Sequence, residues 1–200
     1  MTNKKAACFM IAAGALLLLI ACGMGLYFTW EDRNAAQTSA ALLAQVTATD
    51  NTTNTTNTVL ANQPHTDTDT RPILPEGCKV SGILSIPKLN LELPVLDECT
   101  DYLLKLSVCR YEGNAEGAPS KLIIAGHNYK SHFKTLSELA VGDTVTFTSL
   151  TGEVYSYTVS ALEEIDGNDI DGLHQGDWDI TLFTCNFDGG NRLLIRCRLI

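Results

Sequence analysis

The chain has 200 residues, a formal net charge of −9 and 45% hydrophobic residues. That length allows one ordinary domain plus an additional segment. The acidic balance gives a nucleic-acid role no electrostatic support.

The N-terminus carries Lys4 and Lys5 on a short segment, 1–5, and is then almost free of charge from residue 6 to residue 30. About 20 apolar residues suffice to cross a bilayer as a helix, so 6–30 is expected to be a transmembrane anchor. Lysines before the span and Glu31-Asp32-Arg33 after it point to a cytoplasmic N-terminus and an extracytoplasmic remainder. Tyr27 and Trp30 stand where interfacial aromatics belong. Leu19-Ile20-Ala21-Cys22 has the look of a lipoprotein processing site, and a cleaved signal peptide is the other rival. The apolar run continues through Leu26, Tyr27 and Phe28, which argues for a retained anchor.

Residues 31–75 are rich in Ala, Thr, Asn, Gln and Asp, and include Asn51-Thr52-Thr53-Asn54-Thr55-Thr56. Such a composition buries too little apolar surface to offset its ordering entropy, so a flexible linker is expected. Pro72 and Pro75 close it, and the folded domain is placed at 76–200.

There the pattern becomes short apolar or alternating runs bounded by turn residues. Strands are expected at 83–86, 89–95, 122–125, 144–148, 154–159, 180–184 and 192–200. Leu150-Thr151-Gly152 marks a hairpin between the fourth and fifth. Helices are expected only at 101–106, with Thr100 as N-cap, and near 135–139. So many short strands in about 120 residues imply an all-β barrel or sandwich.

Chemistry concentrates at two strand ends. Thr181-Leu182-Phe183-Thr184-Cys185 ends a buried-type strand in a thiol, before the turn-rich 186–191. Lys121-Leu122-Ile123-Ile124-Ala125-Gly126-His127 delivers an imidazole by the same construction. A thiol of ordinary pKa near 8.5 is activated by a neighbouring cation, and a His can protonate a leaving amine. Arg192 opens the next strand and can donate to a developing oxyanion. His127, Cys185 and Arg192 are therefore a complete set for acyl transfer.

In these residues the chain resembles the sortases of Gram-positive bacteria. The likeness rests on Ala125-Gly126-His127, on Thr181-Leu182-Phe183-Thr184-Cys185, on Arg192, and on Gly82-Ile83-Leu84-Ser85-Ile86-Pro87-Lys88-Leu89 as the family's first strand. It implies a closed eight-stranded β-barrel with a few short helices. It also implies a membrane-anchored cysteine transpeptidase acting on an LPxTG-like sorting motif of secreted proteins. Cys185 would attack, His127 would protonate the leaving amine, Arg192 would steady the oxyanion, and Thr184 would contact substrate. The acceptor would be an amine of a peptidoglycan precursor or a pilin lysine.

Other polar residues have weaker support. Asp166-Gly167-Asn168-Asp169-Ile170-Asp171-Gly172 suggests calcium, but Ile170 at the fifth loop position and Asp177 at the twelfth depart from an EF-hand. An acidic loop is expected there, and neither metal nor cofactor. His65 is placed in the linker, His132 at the surface, and His174 has no motif. Arg196 and Arg198 are expected to be solvated or paired on the barrel. A ten-residue helix would hold Cys99 and Cys109 about 15 Å apart, beyond the reach of about 7 Å for a disulfide. Cys78 with Cys197 stays open.

Two readings compete from other classes. An L,D-transpeptidase-like wall enzyme also places His before Cys, but with a Gly-Cys-Arg type motif rather than Thr184-Cys185-Asn186. A non-catalytic anchored β-domain would make Cys185 an inert buried thiol.

Overall fold

The computed structural model describes residues 2–50, 79–185 and 190–200. They fall into two units, 1–34 and 35–200.

Helix α1, Thr2–Asp50, runs through the apolar segment and onward. In the first unit Leu17, Leu18, Leu19, Leu26, Tyr27 and Phe28 are all exposed. Apolar side chains on every side of a helix require an apolar surrounding. The stretch Ala13–Thr47 is long and apolar enough to cross a bilayer, with a mean hydropathy of 1.8.

Residues 31–50, expected as linker, are helical. Ala35, Ala36, Gln37, Ala40, Ala41, Leu42, Leu43 and Ala44 are good helix formers without a Gly or Pro among them. Ala35, Thr38, Ser39 and Leu42 recur at helical spacing and are buried. The remainder of the expected linker, and with it His65 and Cys78, lies outside the described residues.

The second unit contains a closed barrel of eight strands. These are β1 (Val80–Ile86), β2 (Leu91–Leu96), β3 (Val108–Asn114), β4 (Ser120–Ala125), β5 (Thr144–Ser149), β6 (Val154–Asp166), β7 (Ile180–Cys185) and β8 (Asn191–Leu199). The order round the barrel is β1-β2-β3-β4-β7-β8-β6-β5, closed by β5 on β1. The pairs β2–β3 and β4–β7 are parallel. Closure removes the free edges that a sheet of this size would otherwise expose.

Alternation sorts the side chains. Leu84, Ile86, Leu93, Val95, Leu122, Ile124, Val145, Phe147, Tyr157, Val159, Leu182 and Ile195 fill the interior. On the outer face of β4, β7 and β8, Ile123, Ala125, Phe183 and Leu194 form a second apolar layer with Leu173. Leu173 belongs to α3, Ile170–His174, a short helix in what was expected to be an acidic loop. The acidic side chains build its start: Asp166 Oδ1 accepts from the Asn168 N–H, and Asp169 Oδ1 from the Gly172 N–H, both at 2.8 Å.

The crossover from β2 to β3 carries α2, Asp101–Leu106, whose N-cap Thr100 accepts from Leu103 N as expected. Strand β3 escaped the sequence reading. Its register shifts twice against β4, between Arg110 and Glu112 and between Glu112 and Asn114. Gly113, at φ 92°, also approaches Lys121 so closely that no Cβ would fit. Bulges of this kind erase the two-residue alternation that betrays a strand.

Candidate active site

Strands β4, β7 and β8 lie side by side, and their registers bring the three candidate residues together. Ala125 pairs with Phe183 in the parallel β4–β7 ladder, and Gly126 N donates to Phe183 O at 3.0 Å one residue further on. Phe183 pairs with Leu194, and Cys185 directly with Arg192, in the antiparallel β7–β8 ladder. His127 and Cys185 each follow by two residues a member of the outer apolar layer. The period of two returns Cys185 to that outer face, and His127 follows two residues beyond Ala125, the last residue of β4.

Each side chain is held from below. Gly126 lies against the ring of Phe133, so that a Cβ would meet ring carbons at 2.5 Å. Phe133 is fully buried, and its N–H donates to His127 O at 3.1 Å. This folds the loop after β4 back onto its own start. Tyr129 stacks on His127 with ring centroids 4.9 Å apart. Cys185 is exposed at the end of β7, and His127 and Arg192 are half-buried. The Arg192 guanidinium sits 5.4 Å from the Phe183 ring centroid, and Phe183 meets Tyr111 edge-on at 5.4 Å. Arg192 Nη1 is buried with no hydrogen-bond partner among the described residues.

Thr184, expected to contact substrate, is buried with its Oγ1 unpartnered among the described residues. It shares the core-facing side of β7 with Leu182, opposite to Cys185. Its backbone is then the part that lies nearest the site.

Three further placements differ from expectation. His132 is buried, not at the surface, and both ring nitrogens lack partners among the described residues. Burial, together with the nearby His127, pushes its pKa down to about 4, so it is neutral at ordinary pH. Its ring centroid lies 5.5 Å from that of Tyr129.

Arg196 is the second: it is paired with Glu163, one of the two expected alternatives, but at 1% exposure it is buried rather than on the barrel surface. Its Nε donates to Glu163 Oε2 at 2.9 Å and its Nη2 to Gly172 O at 2.7 Å. Nη1 donates both to Leu173 O at 2.8 Å and to Thr181 Oγ1 at 3.1 Å. Arg198 instead lies over the Trp178 ring, 4.7 Å from its centroid.

The third concerns Cys99 and Cys109, which are free thiols as expected but share one apolar cluster, Cys99 packing against the group that holds the buried Cys109. No continuous helix joins them. Helix α2 has only 6 residues, and the chain then returns through Ser107 into β3. Cys197, by contrast, is fully buried, and burial raises its pKa to about 12.

Tyr129 and Phe183 adjoin the site without having been expected there, whereas His132, expected at the surface, is buried near His127. A signal for one of them existed: Phe183 stands two residues before Cys185, on the same face of β7.

The family model described as Sortase domain matches residues 84–200. The chain is 30% identical over 111 residues to "Sortase A" of Bacillus anthracis, covering 54% of this chain and 52% of that protein. It thus spans about half the length of the curated relative it matches. Among solved structures it is similar to sortase A from Corynebacterium diphtheriae, with TM-score 0.55, 25% identity and 61% of each chain covered. It is also similar to sortase C from Clostridium perfringens SM101, with TM-score 0.53, 26% identity, and 61% and 70% coverage. A Clostridium perfringens sortase D5 transpeptidase shares the fold at TM-score 0.54 and 24% identity, over 60% of this chain and 79% of that one.

Proposed function

Since the Sortase domain match over 84–200 spans more than half of the chain, the chain belongs to the sortase family of cysteine transpeptidases, and we propose that it is a membrane-anchored transpeptidase acting on a sorting motif of secreted proteins. In this reading α1 is the anchor and the barrel lies outside the membrane. The observation that carries the reading is the direct pairing of Cys185 with Arg192, with His127 delivered to the same face at the end of the adjacent strand.

The Cys185 thiolate attacks the carbonyl of an LPxTG-like motif, forming a C–S bond. Negative charge gathers on the carbonyl oxygen, and Arg192 donates to it. Its Nη1, buried without an acceptor among the described residues, supports this role, because such a donor suits an oxygen that acquires charge only during reaction. Collapse breaks the scissile C–N bond, and His127 gives its proton to the leaving amine. A second amine, from a peptidoglycan precursor or a pilin lysine, then attacks the thioester. His127 takes back a proton, and the Cys185 thiolate is released.

Room for the peptide exists along the same face. A cleft of about 240 Å³ is lined by Glu112, Ile123, Leu173, His174, Trp178 and Arg196 among others. Its floor residue Thr181 lies four positions before Cys185 on β7, about 13 Å at the strand rise. A five-residue motif, extended over about 16 Å, reaches from the thiol into it.

Exposure of Cys185 weighs against the inert-thiol reading of a non-catalytic β-domain. The test is incubation of the protein with a panel of sorting-motif peptides and an added amine, with products identified by mass. A ligated product that depends on Cys185 is expected. Absence of any acyl transfer or hydrolysis across the panel, together with failure of a thiol reagent to label native Cys185, would overturn the proposal.

A further inference from the structure

A second thiol chemistry is placed beside the first. In the parallel β2–β3 ladder Leu96 pairs with Cys109, and Cys109 pairs in turn with Ala125 of β4. Cys109 thus continues the ladder row Ala125–Phe183–Leu194, one strand outward from β4. It is fully buried, and clusters with Leu96 and Leu103. Cys99, half-buried in the crossover, packs against this cluster and against the outer layer of Ala125, Phe183 and Leu194. Leu104 of α2 does the same. The segment from Cys99 through α2 therefore borders the face that carries Cys185.

Cys99 packs on the cluster that contains the Cys109 thiol. The hydrogen bond from Cys109 is the largest cause that holds the Cys99 pKa below its ordinary value, against burial and the nearby Asp101. Cys99 is the more accessible member and the readier thiolate, whereas Cys109 is buried.

We propose that Cys99 and Cys109 are a redox-active pair that closes to a disulfide on meeting a small-molecule disulfide, and that the bond ties the α2 crossover to β3 beside the Cys185 face. Cys99 thiolate attacks one sulfur of the oxidant, forming a mixed disulfide and releasing one thiol. Cys109 loses its proton and attacks the Cys99 sulfur, expelling the second thiol. Two protein thiols are oxidised and one external disulfide is reduced to two thiols. The assignment is independent of the role given to Cys185, since neither residue takes part in acyl transfer.

The test uses the full chain in detergent, incubated with oxidised glutathione, alkylated without reduction and digested with trypsin. Cleavage at Lys88, Lys105 and Arg110 separates peptide 89–105, with Cys99, from peptide 106–110, with Cys109. The expected product is these two peptides joined, lighter by two hydrogens than their sum, in most of the protein and reversed by dithiothreitol. Oxidised protein should melt higher than reduced protein, by roughly 5 °C or more for a closed loop of this size. In Cys99→Ser the joined product and the shift should vanish, with Cys109 recovered reduced; Cys109→Ser should stop at a glutathione adduct on Cys99. Three outcomes would overturn the proposal: both peptides recovered separately alkylated, a stable glutathione adduct on Cys99 in the unmutated chain, or either cysteine joined to Cys78 instead.

Discussion

Cys185 and Arg192 stand directly opposite one another in the β7–β8 ladder, and the Arg192 guanidinium rests on the ring of Phe183, two residues before the thiol. One strand thus supplies both the nucleophile and the platform that orients its cationic partner. The ring leaves the edge of the guanidinium as its hydrogen-bonding part, with Nη1 unspent among the described residues.

Loss of a donor to a developing oxyanion typically costs about 10²–10³ in rate, or roughly 3–4 kcal/mol. Arg192→Ala is expected to lower kcat/KM of acyl transfer by this amount. Arg192→Lys should recover little, because an ammonium lacks the planar fork. Cys185→Ala and His127→Ala should abolish transfer with the barrel intact, as circular dichroism would report. Normal turnover by Cys185→Ala would refute the assignment.

Arg196 should behave in the opposite way. It is buried, and its guanidinium satisfies the carbonyls of Gly172 and Leu173 and the hydroxyl of Thr181. Stranding those acceptors costs about 1–3 kcal/mol each where they stay dry. Arg196→Ala is therefore expected to lower thermal stability clearly. A melting temperature unchanged from the parent would contradict the clamp.

A pH effect follows from His174. Its Nε2 lies 2.8 Å from Glu112 Oε2, and its Nδ1 2.8 Å from Ile170 O. The Glu112 contact foremost, then the carbonyl, raises its pKa above the ordinary value of 6.5. A raised folded-state pKa means that the pairing stabilises fully below pH of about 6.5 and is lost as pH rises through the folded value. Both groups are substantially exposed, so the stability effect is small. Proton NMR titration of His174 should give a pKa above that of an unpaired His, and Glu112→Gln should lower it. No change on that substitution would exclude the pair in solution.

The barrel should not depend on the N-terminal segment. None of the three apolar clusters contains a residue before Val80. Removing residues 1–75 is expected to leave a domain that unfolds cooperatively and retains acyl transfer. Aggregation or loss of cooperative unfolding would show that the buried face of Ala35, Thr38, Ser39 and Leu42 is part of the folding unit.

Local pattern alone determined much of this protein. The apolar N-terminal helix, seven of the eight strands, the α2 cap at Thr100, and the strand-end positions of His127 and Cys185 could all be read from it. Each depends on neighbours within a few residues, where the period of two, a capping side chain or a turn leaves its mark. Tertiary structure decided the remainder. Strand β3 is irregular and exists through its partners β2 and β4, so its own residues carry little alternation. The sequence places Arg192, Arg196 and Arg198 on one face, but only the crossing of α3 buries Arg196 and leaves the other two on aromatic rings. Cys99 and Cys109 meet because a parallel ladder returns the chain across a six-residue helix. His132 is buried in the loop that the Phe133 N–H to His127 O bond turns back. In such cases burial is a property of what packs against a residue, which its own local pattern does not encode.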